Sequence, residues 1–417
     1  MNPMIKDART IIDSAIQASL PNEAVKKAIL GKNFVFDGKV IVISIGKAAW
    51  NMAKAAAEHI PHKIDTGIIL TKYGHSQGDI PDFTILEAGH PLPDENTICG
   101  TEKIIEAVSD LTEKDTVFFL VSGGGSALFE KPAGALTLAD FLDITDQMLK
   151  CGADIVEMNT VRKHLSAVKG GRFAEICSPA KVYCIALSDI LGDRPDSIAS
   201  GPACADASTS EEAFAVVEKY GLKLNDEMKR QLEKETSKYL SNVTMEITGS
   251  VTQLCEDAAN TAKSLGYTPM ILTNMLDCEA KEAGKFLASI AKTIQKNNLP
   301  FKPPCAIICG GETIVRITGT GKGGRNQELA LSAAESISGM NNVVIAAAGS
   351  DGTDGPTDAA GGIVDGNTKT LLTDKGISIP TVLADNNSYY ALKDVDSLIM
   401  TGPTGTNVND LYLLLCK

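Results

Sequence analysis

Three glycines between two serines, at residues 122–126, form the local feature of this sequence that most strongly predicts chemistry. Glycine lets the backbone point successive N–H groups at an anion, and the flanking serines add hydroxyl donors. A sharp turn from a strand into a helix is the alternative, but such a turn does not need three glycines. We therefore predict that Ser122, Gly123, Gly124, Gly125 and Ser126 bind phosphate.

Three further side chains are candidates for catalysis. Lys47 follows an apolar run and opens a helical segment, where it could neutralise a phosphoryl group in transfer or be a solvated first-turn lysine. Arg325 also opens a predicted helix, and its guanidinium fork can hold phosphate or carboxylate. Asp189 follows a predicted strand and is a candidate base or metal ligand. A helix cap is the alternative, and it suits Asp193 better than Asp189.

A cationic cluster between residues 154 and 172 is unusual in an acidic chain. We predict that Arg162, His164 and Lys169 bind the carboxylate of a substrate, with packing of these side chains as the alternative. Glu312 and Asn407 each lie in a polar, Gly-rich stretch after an apolar run. We predict that both contact the substrate, because loops at the ends of strands bind ligands in α/β sheets.

Three aspartates recur at three- and four-residue spacing in the run GSDGTDGPTD, residues 349–358. Carboxylates and hydroxyls suit a hard cation, although the run lacks the spacing and the final Glu of an EF-hand. We predict that Asp351 and Asp354 hold Mg²⁺ bridged to nucleotide phosphates. Asx turns and a helix cap are the alternative, and they account for Asp358.

The run GTGKGG, residues 319–324, matches the GxGxxG pattern of a dinucleotide-binding oxidoreductase. The match is weak, because the preceding residues 312–317 alternate between polar and apolar types instead of forming a buried run. We predict that residues 312–317 form a half-exposed strand in an antiparallel pairing.

The elements that must position these residues read as alternating strands and helices, which is typical of an α/β fold. The length of 417 residues favours two domains with a ligand cleft between them. We predict a doubly wound sheet in residues 1–240 and a second α/β domain in residues 241–417. The predicted strands are residues 39–45, 66–71, 115–121, 181–187, 243–247, 268–273, 305–309, 343–348 and 396–400.

Composition limits the partners. A formal net charge of -13 argues against nucleic acid and anionic membranes, which need a basic face. The ten cysteines form no CxxC pair, which indicates reduced thiols in a cytoplasmic protein. The first twenty residues carry too many charges for a signal peptide, and we expect no membrane span. Small molecules are the predicted partners.

Seven segments closely resemble, in order and over nearly the whole chain, the glycerate 2-kinase family. The last three resemble the C-terminal (MOFRL) domain of that family. The segments are SIGKAAW, VSGGGSALFE, NTVRKHLSAVKGGRFA, LSDILGDRPDSIASGP, GGETIVRITGTGKGGRNQELALSAA, AGSDGTDGPTDAAGGIVDG and TGPTGTNVNDL.

This resemblance implies transfer of the γ-phosphoryl group of ATP to the 2-hydroxyl of D-glycerate, with Mg²⁺. It also implies a Rossmann-like N-terminal domain, a smaller C-terminal α/β domain and an active site in the cleft between them. The proposed catalytic lysine and arginine of the family fall on Lys47 and Arg325. From its residue type alone, we predict that Asp189 would orient or deprotonate the glycerate hydroxyl. The alternatives are an NAD(P)-dependent hydroxypyruvate reductase, a kinase that forms 3-phosphoglycerate, and a ligand-sensing module without chemistry.

Overall fold

A computed structural model gives the fold and describes residues 2–192 and 194–417. The helices are α1 (Pro3–Ala18), α2 (Pro21–Leu30), α3 (Ala49–His59), α4 (Glu95–Val108), α5 (Gly125–Leu128), α6 (Leu138–Cys151), α7 (Ile155–Leu165), α8 (Arg172–Cys177), α9 (Ser210–Tyr220), α10 (Asp226–Leu232), α11 (Val251–Ser264), α12 (Ala280–Asn297), α13 (Arg325–Ser336), α14 (Thr368–Asp374), α15 (Ile379–Ala384) and α16 (Ser388–Asp394). The strands are β1 (Val40–Ile45), β2 (Thr66–Lys72), β3 (Phe83–Ala88), β4 (Thr116–Val121), β5 (Lys181–Leu187), β6 (Val243–Gly249), β7 (Thr268–Leu276), β8 (Cys305–Gly311), β9 (Val343–Gly349), β10 (Gly361–Asp365), β11 (Leu398–Ile399) and β12 (Asp410–Cys416).

The first sheet has six strands in the order β3-β2-β1-β4-β5-β6. Strands β1 to β5 pair in parallel with their neighbours. The central strands β1 and β4 are buried along their whole length, and their sequences VIVISI and TVFFLV are continuous apolar runs, as a parallel sheet covered on both faces requires. Because the strand order reverses between β1 and β4, the loops after these strands meet where such sheets bind ligands.

Both faces of the first sheet are covered. Phe118 of β4 packs on one face with residues of α2 and α3, such as Val25. The next residue, Phe119, points to the other face, where its ring lies 5.9 Å from that of Phe129 and 4.5 Å from that of Phe173. This alternation along one strand confirms the predicted doubly wound, Rossmann-like domain.

The second sheet is mixed, with the strand order β11-β10-β9-β12-β8-β7. Strands β7 and β8 are parallel, whereas β12 runs antiparallel between β8 and β9, and β10 and β11 continue the sheet in antiparallel pairings. Helices α1 and α11 pack on one face around Ile308 and Leu413. Helices α12 and α13 pack on the other face around Ile307 and Leu414. The prediction of a second α/β domain is confirmed.

The prediction of a strand over residues 312–317 is wrong. Ile314 makes a single parallel bridge to Glu279, and the Thr313 N–H donates to the Tyr412 hydroxyl over 3.0 Å, away from any ladder. Residues 312–315 and Ile317 line a cavity instead. Strands β3, β10 and β12 were not predicted; β3 is half-exposed, and β12 pairs with strands β8 and β9 far back along the chain.

The chain forms two compact units, each described by itself. One comprises Pro21–Ser188 and Arg194–Thr248, and the other comprises Met1–Leu20, Asp189–Asp193 and Gly249–Lys417. Helix α1 joins the second unit because its apolar face packs on α11. The predicted boundary after residue 240 stays a prediction, and it did not anticipate these two exchanged segments. In the part of the chain that the structure describes, we find no helix long and apolar enough to cross a membrane.

Candidate active site

The loop after β1 and the loop after β4 are bound to each other at the carboxyl-terminal edge of the first sheet. The Lys47 N–H donates to the Gly123 carbonyl over 2.9 Å. The Ser122 hydroxyl donates to the Ile45 carbonyl and accepts from the Ala48 N–H, each over 3.1 Å. These bonds occupy the buried hydroxyl of Ser122, so this side chain fixes the two loops. Phosphate binding by Ser122 itself stays a prediction, and these contacts do not favour it.

Two glycines after Ser122 keep backbone donors available. Gly124 has a φ of 84°, in the left-handed region that favours glycine. Gly123 and Gly124 are half-exposed, and their amides have no acceptor among the described residues. Phosphate binding by this run stays a prediction, and it now rests on these two amides.

Gly125 and Ser126 face inward instead. A Cβ atom on Gly125 would lie 2.8 Å from the Cβ of Ala199, so this glycine is required for close packing. The Ser126 hydroxyl lies 3.2 Å from the Ser200 hydroxyl, and the Ser126 carbonyl accepts from the Arg162 guanidinium over 3.4 Å. Arg162 therefore stabilises this loop by donating to the backbone of Ser126.

The other two predicted members of the cationic cluster are fully buried. The Lys169 ammonium donates to the Phe129 carbonyl over 3.0 Å and to the Glu130 carboxylate, and burial lowers the pKa of Lys169 to about 8. His164 Nδ1 bonds to the Thr160 carbonyl over 2.9 Å, and burial lowers the pKa of His164. Neither side chain has a surface that a substrate could touch, so the structure favours the packing alternative for both.

Three basic residues that the sequence reasoning missed lie beside Lys47. Lys72 ends β2, the His75 Nδ1 lies 3.1 Å from the Lys47 carbonyl oxygen, and His90 lies against Gly124. We call Lys47, Lys72, His75 and His90 the basic edge. The sequence signal that could have revealed these residues is their position at or after the end of a parallel strand. His90 was missed because β3 was not recognised.

Arg325 is the centre of a second group of charges, in the other unit. Its Nε donates to Asp410 Oδ2 over 2.5 Å, its NH2 donates to Asp410 Oδ1 over 3.1 Å, and its NH1 lies 3.3 Å from Glu312 Oε1. Although burial acts to lower the pKa of Arg325, the hydrogen bonds and charge of Asp410 raise it overall. Asp410 is fully buried and also accepts from the Tyr412 hydroxyl over 3.1 Å.

Asp189 and Glu312 are joined through Asn409, another residue that the sequence reasoning missed. The Asn409 Nδ2 donates to the Asp189 carbonyl and to the Glu312 carboxylate, each over 3.1 Å. The predicted Asn407 is exposed, and its side-chain oxygen accepts from the Asn409 N–H over 3.3 Å. We call Arg325, Asp410, Glu312 and Asn409 the Arg325 centre. Asp193 lies outside the described residues.

A cavity of about 600 Å³ adjoins the Arg325 centre. This volume suits a small ligand. Apolar and acidic side chains share its wall, which Arg325 and the Gly-rich loop complete. They include Leu191, Ile314, Val315, Glu312, Glu328 and Asp354.

Asp354 caps helix α13. The N-cap residue of that helix, Gly324, has no side chain, and the Asp354 carboxylate accepts from the Asn326 N–H over 3.2 Å and from the Gln327 N–H over 2.9 Å. Burial raises the pKa of Asp354 to about 6. The structure therefore favours the helix-cap alternative over metal binding for Asp354.

Asp351 remains the candidate metal ligand. One of its carboxylate oxygens accepts from the Thr353 N–H over 2.9 Å, and the other has no donor among the described residues. Within residues 2–192 and 194–417, no group of three His, Cys, Asp or Glu side chains is arranged to hold a metal. A single carboxylate nevertheless fits Mg²⁺ that arrives with phosphates, because Mg²⁺ keeps several waters and uses one or two carboxylates plus phosphate oxygens.

The GxGxxG run does not form a phosphate cradle. Its backbone donors are used within the protein: Gly319 N–H donates to Asn386 Oδ1 over 3.0 Å, Thr320 N–H to Asp385 Oδ1 over 3.0 Å, and Gly321 N–H to the Asp385 carbonyl over 2.9 Å. A dinucleotide-binding loop must keep these amides free for the pyrophosphate. The geometry therefore argues against a dinucleotide site here.

Comparisons with known proteins define the class. Residues 7–233 match the model of a domain of unknown function (DUF4147), and residues 305–410 match the MOFRL family. A D-glycerate 2-kinase of Thermotoga maritima is 53% identical over 98% of this chain and 97% of its own length. A glycerate 2-kinase of Pyrococcus horikoshii is 42% identical over 97% of this chain and 96% of its own length.

Comparison of the fold with solved structures indicates the same family. The crystal structure of a glycerate kinase from Thermotoga maritima, 52% identical, covers 100% of both chains with a TM-score of 0.96. The fold and these similarities define a two-domain phosphotransferase. The chain belongs to the glycerate 2-kinase family, as its sequence motifs predicted.

Proposed function

We propose that this chain phosphorylates D-glycerate at its 2-hydroxyl, giving 2-phospho-D-glycerate and ADP. The hydroxyl oxygen attacks the γ-phosphorus of ATP, the bond from that phosphorus to the ADP oxygen breaks, and the hydroxyl proton passes to a base. The observation that carries the proposal is an unpaired Lys47 beside the free amides of Gly123 and Gly124, in a chain of the glycerate 2-kinase family.

Lys47 would stabilise negative charge on the transferring group. The hydrogen bonds of Lys47 within the described residues are made by its backbone, so the ammonium is uncommitted. Phosphoryl transfer depends mainly on positioning and on charge stabilisation, so a free cation next to free amides suits the reaction.

Arg325 would act as a fixed donor. A guanidinium has five N–H donors, and its contacts with Asp410 and Glu312 use three nitrogen-to-oxygen pairs. The remaining N–H groups are held in a defined direction because Asp410 is buried and cannot move with solvent. Such preorganised donors are the usual source of electrostatic catalysis.

Asp189 would orient or deprotonate the glycerate hydroxyl. Its backbone is held by Asn409, and its carboxylate accepts no hydrogen bond among the described residues. Glu312, bound to the same amide, and Asn407, which supports Asn409, would complete the contacts to glycerate.

Mg²⁺ would be held by Asp351 together with nucleotide phosphates, where it would neutralise charge on the phosphate oxygens. The free oxygen of Asp351 and the Asx turn that fixes the other oxygen support this assignment. Asp351→Asn should raise the Mg²⁺ concentration needed for half-maximal rate, and an unchanged Mg²⁺ dependence would contradict it.

We also infer a cytoplasmic location. All ten cysteines are free thiols, which suits a reducing compartment. Cell fractionation followed by immunoblotting would test it, and recovery in a secreted or membrane fraction would refute it.

A pair of assays tests the proposed reaction. Purified protein with ATP, Mg²⁺ and D-glycerate should release ADP in proportion to glycerate consumed, and L-glycerate serves as the matched control substrate. The same protein with NADH and hydroxypyruvate should leave the NADH absorbance unchanged. NADH oxidation without ADP release would replace the kinase by the reductase, and absence of both would favour a ligand-sensing module.

A further inference from the structure

The basic edge is built from four neighbouring parallel strands. Lys47 follows β1, Lys72 ends β2, His90 follows β3, and Gly124 follows β4. Adjacent strands lie about 4.8 Å apart, so three spacings separate the ends of β3 and β4 by about 14 Å. The ends of these strands span more than one phosphate group needs, and the loop after β3 folds back across them so that His90 reaches Gly124.

Two side chains of this edge, Lys47 and His90, converge on Gly124. A Cβ atom on Gly124 would lie 3.0 Å from His90 Cδ2, 3.1 Å from His90 Nε2 and 3.2 Å from Lys47 Cγ. His75 is held beside them, because its Nδ1 lies 3.1 Å from the Lys47 carbonyl oxygen. A side chain at residue 124 would thus occupy the space between a histidine and a lysine, next to a free amide.

Nearby carboxylates do not neutralise these cations. Glu87 accepts from the Ser76 N–H over 3.1 Å and from the Ser76 hydroxyl over 2.6 Å, which fixes the turn that carries His75. Asp94 accepts from the Tyr73 hydroxyl over 2.6 Å and caps α4. Among the described residues, Lys47 and Lys72 have no ion pair, although the chain as a whole carries an excess of acidic residues.

The surroundings of His90 favour the neutral form of its imidazole. Burial lowers the pKa of His90, and the nearby charges of Lys47, Lys72 and His75 lower it further. A bound anion would reverse this effect, because a negative charge within a few ångströms favours the imidazolium form.

We propose that the basic edge binds the phosphate chain of the nucleotide, with Lys72, His75 and His90 extending the site that Lys47, Gly123 and Gly124 begin. This inference rests on the proposed function for the identity of the nucleotide. The contact with phosphate follows from the geometry of the edge itself. The lysines supply positive charge to the phosphate chain. His90 supplies a ring N–H donor beside the half-exposed glycine amides, which also donate to phosphate.

Histidine NMR tests the site without turnover. The chain has five histidines, and His90→Gln and His75→Gln assign two of the ring signals. Addition of a non-hydrolysable ATP analogue should shift the His90 and His75 signals in a saturable way and raise the apparent pKa of His90. The signals of His59, His62 and the buried His164 should stay unchanged and serve as internal controls.

Separate titrations with 2-phosphoglycerate and with D-glycerate identify the source of the phosphate. Shifts of His90 by the nucleotide analogue support the proposal. Shifts produced only by 2-phosphoglycerate or only by D-glycerate would overturn it, and so would unmoved His90 and His75 signals in a preparation that phosphorylates glycerate. If the analogue moves His90 but no glycerate is phosphorylated, the phosphate site stands and the proposed function fails.

A pair of lysine variants gives the kinetic test. Lys72→Met should raise KM for ATP about tenfold, the equivalent of one charge-assisted contact, and leave kcat within about twofold. Lys181→Met, an exposed lysine at the opposite end of the same sheet, should leave both constants unchanged. An equal KM for ATP in the two variants would contradict a phosphate contact at Lys72.

Discussion

The basic edge and the Arg325 centre differ in how their charges are compensated. Lys47 and Lys72 have no ion pair among the described residues, whereas all three guanidinium nitrogens of Arg325 face a carboxylate of Asp410 or Glu312. An uncompensated cation can take up an anionic ligand at little cost. Arg325 is instead held rigid by its pair with Asp410, because breaking that pair would leave a buried charge alone. We therefore expect ligand capture at the basic edge and fixed orientation of donors at the Arg325 centre.

The two regions should differ most in activity and stability when Arg325 or Lys47 is replaced by alanine. Arg325→Ala should lower kcat by about 10³-fold and the free energy of unfolding by about 3–5 kcal/mol, because Asp410 is left buried without its partner. ADP release and urea denaturation measure the two effects. Arg325→Ala combined with Asp410→Asn should recover part of the stability and none of the activity. Wild-type stability in Arg325→Ala would contradict the proposed rigid pair.

Lys47→Ala should lower kcat by roughly 10²–10³-fold with a change of less than about 0.5 kcal/mol in unfolding free energy, because its ammonium is exposed and unpaired. The matched control is Lys39→Ala, just before the opposite end of the same strand β1, which should leave kcat unchanged. The same two assays apply. A near-normal rate in Lys47→Ala would remove this residue from catalysis, and a large loss of stability would blur its contrast with Arg325.

A smaller effect, on the free energy of unfolding, is expected when pH changes the protonation of Asp354 at the cap of α13. The pKa of Asp354 is raised to about 6 in the folded chain, so the folded state binds a proton more tightly than the unfolded state, whose value is 3.8. The proton bound to Asp354 stabilises the fold by about 3 kcal/mol at low pH, and this stabilisation is lost as pH rises from about 4 to 6.

Asp354→Asn removes this titration. Its unfolding free energy relative to the wild type should therefore decrease as pH falls from 7 to 4, measured by urea denaturation in buffers of matched ionic strength. The addition of Mg²⁺ should leave the pH dependence unchanged, since the carboxylate caps the helix. A pH dependence that disappears with Mg²⁺ would restore Asp354 as a metal ligand.

The smallest effect concerns Gly124. Gly124→Ala should destabilise the fold by about 1–2 kcal/mol because of its positive φ, and should also raise KM for ATP, because the new methyl group lies against His90 and Lys47. Gly152→Ala is the control, since Gly152 also has positive φ but no atoms within 4 Å of an added Cβ. Equal KM values in the two variants would show that the space above Gly124 is not used by the nucleotide.

Sequence patterns predicted most of the sheet that carries the basic edge. Strands β1, β2, β4 and β5 are buried and parallel, so each gives a continuous apolar run before a polar loop. Strand β3 is half-exposed at the edge of the sheet and gives no such run, which hid His90. Strand β12 enters the second sheet from the end of the chain, and no local pattern reports a pairing over that distance.

The side-chain roles were harder to predict than the elements. In sequence, the buried pair of Lys169 and Glu130 looks like any other pair of surface charges, because burial depends on how segments 39 residues apart pack together. The cap of α13 comes from Asp354, about thirty residues after the helix begins, since Gly324 has no side chain to offer. Lys47 and Arg325 were predicted because each stands at a predicted junction of loop and helix, where charge has a defined direction, and their catalytic roles stay predictions.

The phosphorus NMR spectrum of the reaction product tests the central claim most directly. After incubation of the purified chain with ATP, Mg²⁺ and D-glycerate, the account predicts a phosphate-ester signal that coincides with added 2-phospho-D-glycerate, at the expense of the γ-phosphorus signal of ATP. A signal that coincides with 3-phospho-D-glycerate, or release of inorganic phosphate alone, would contradict it.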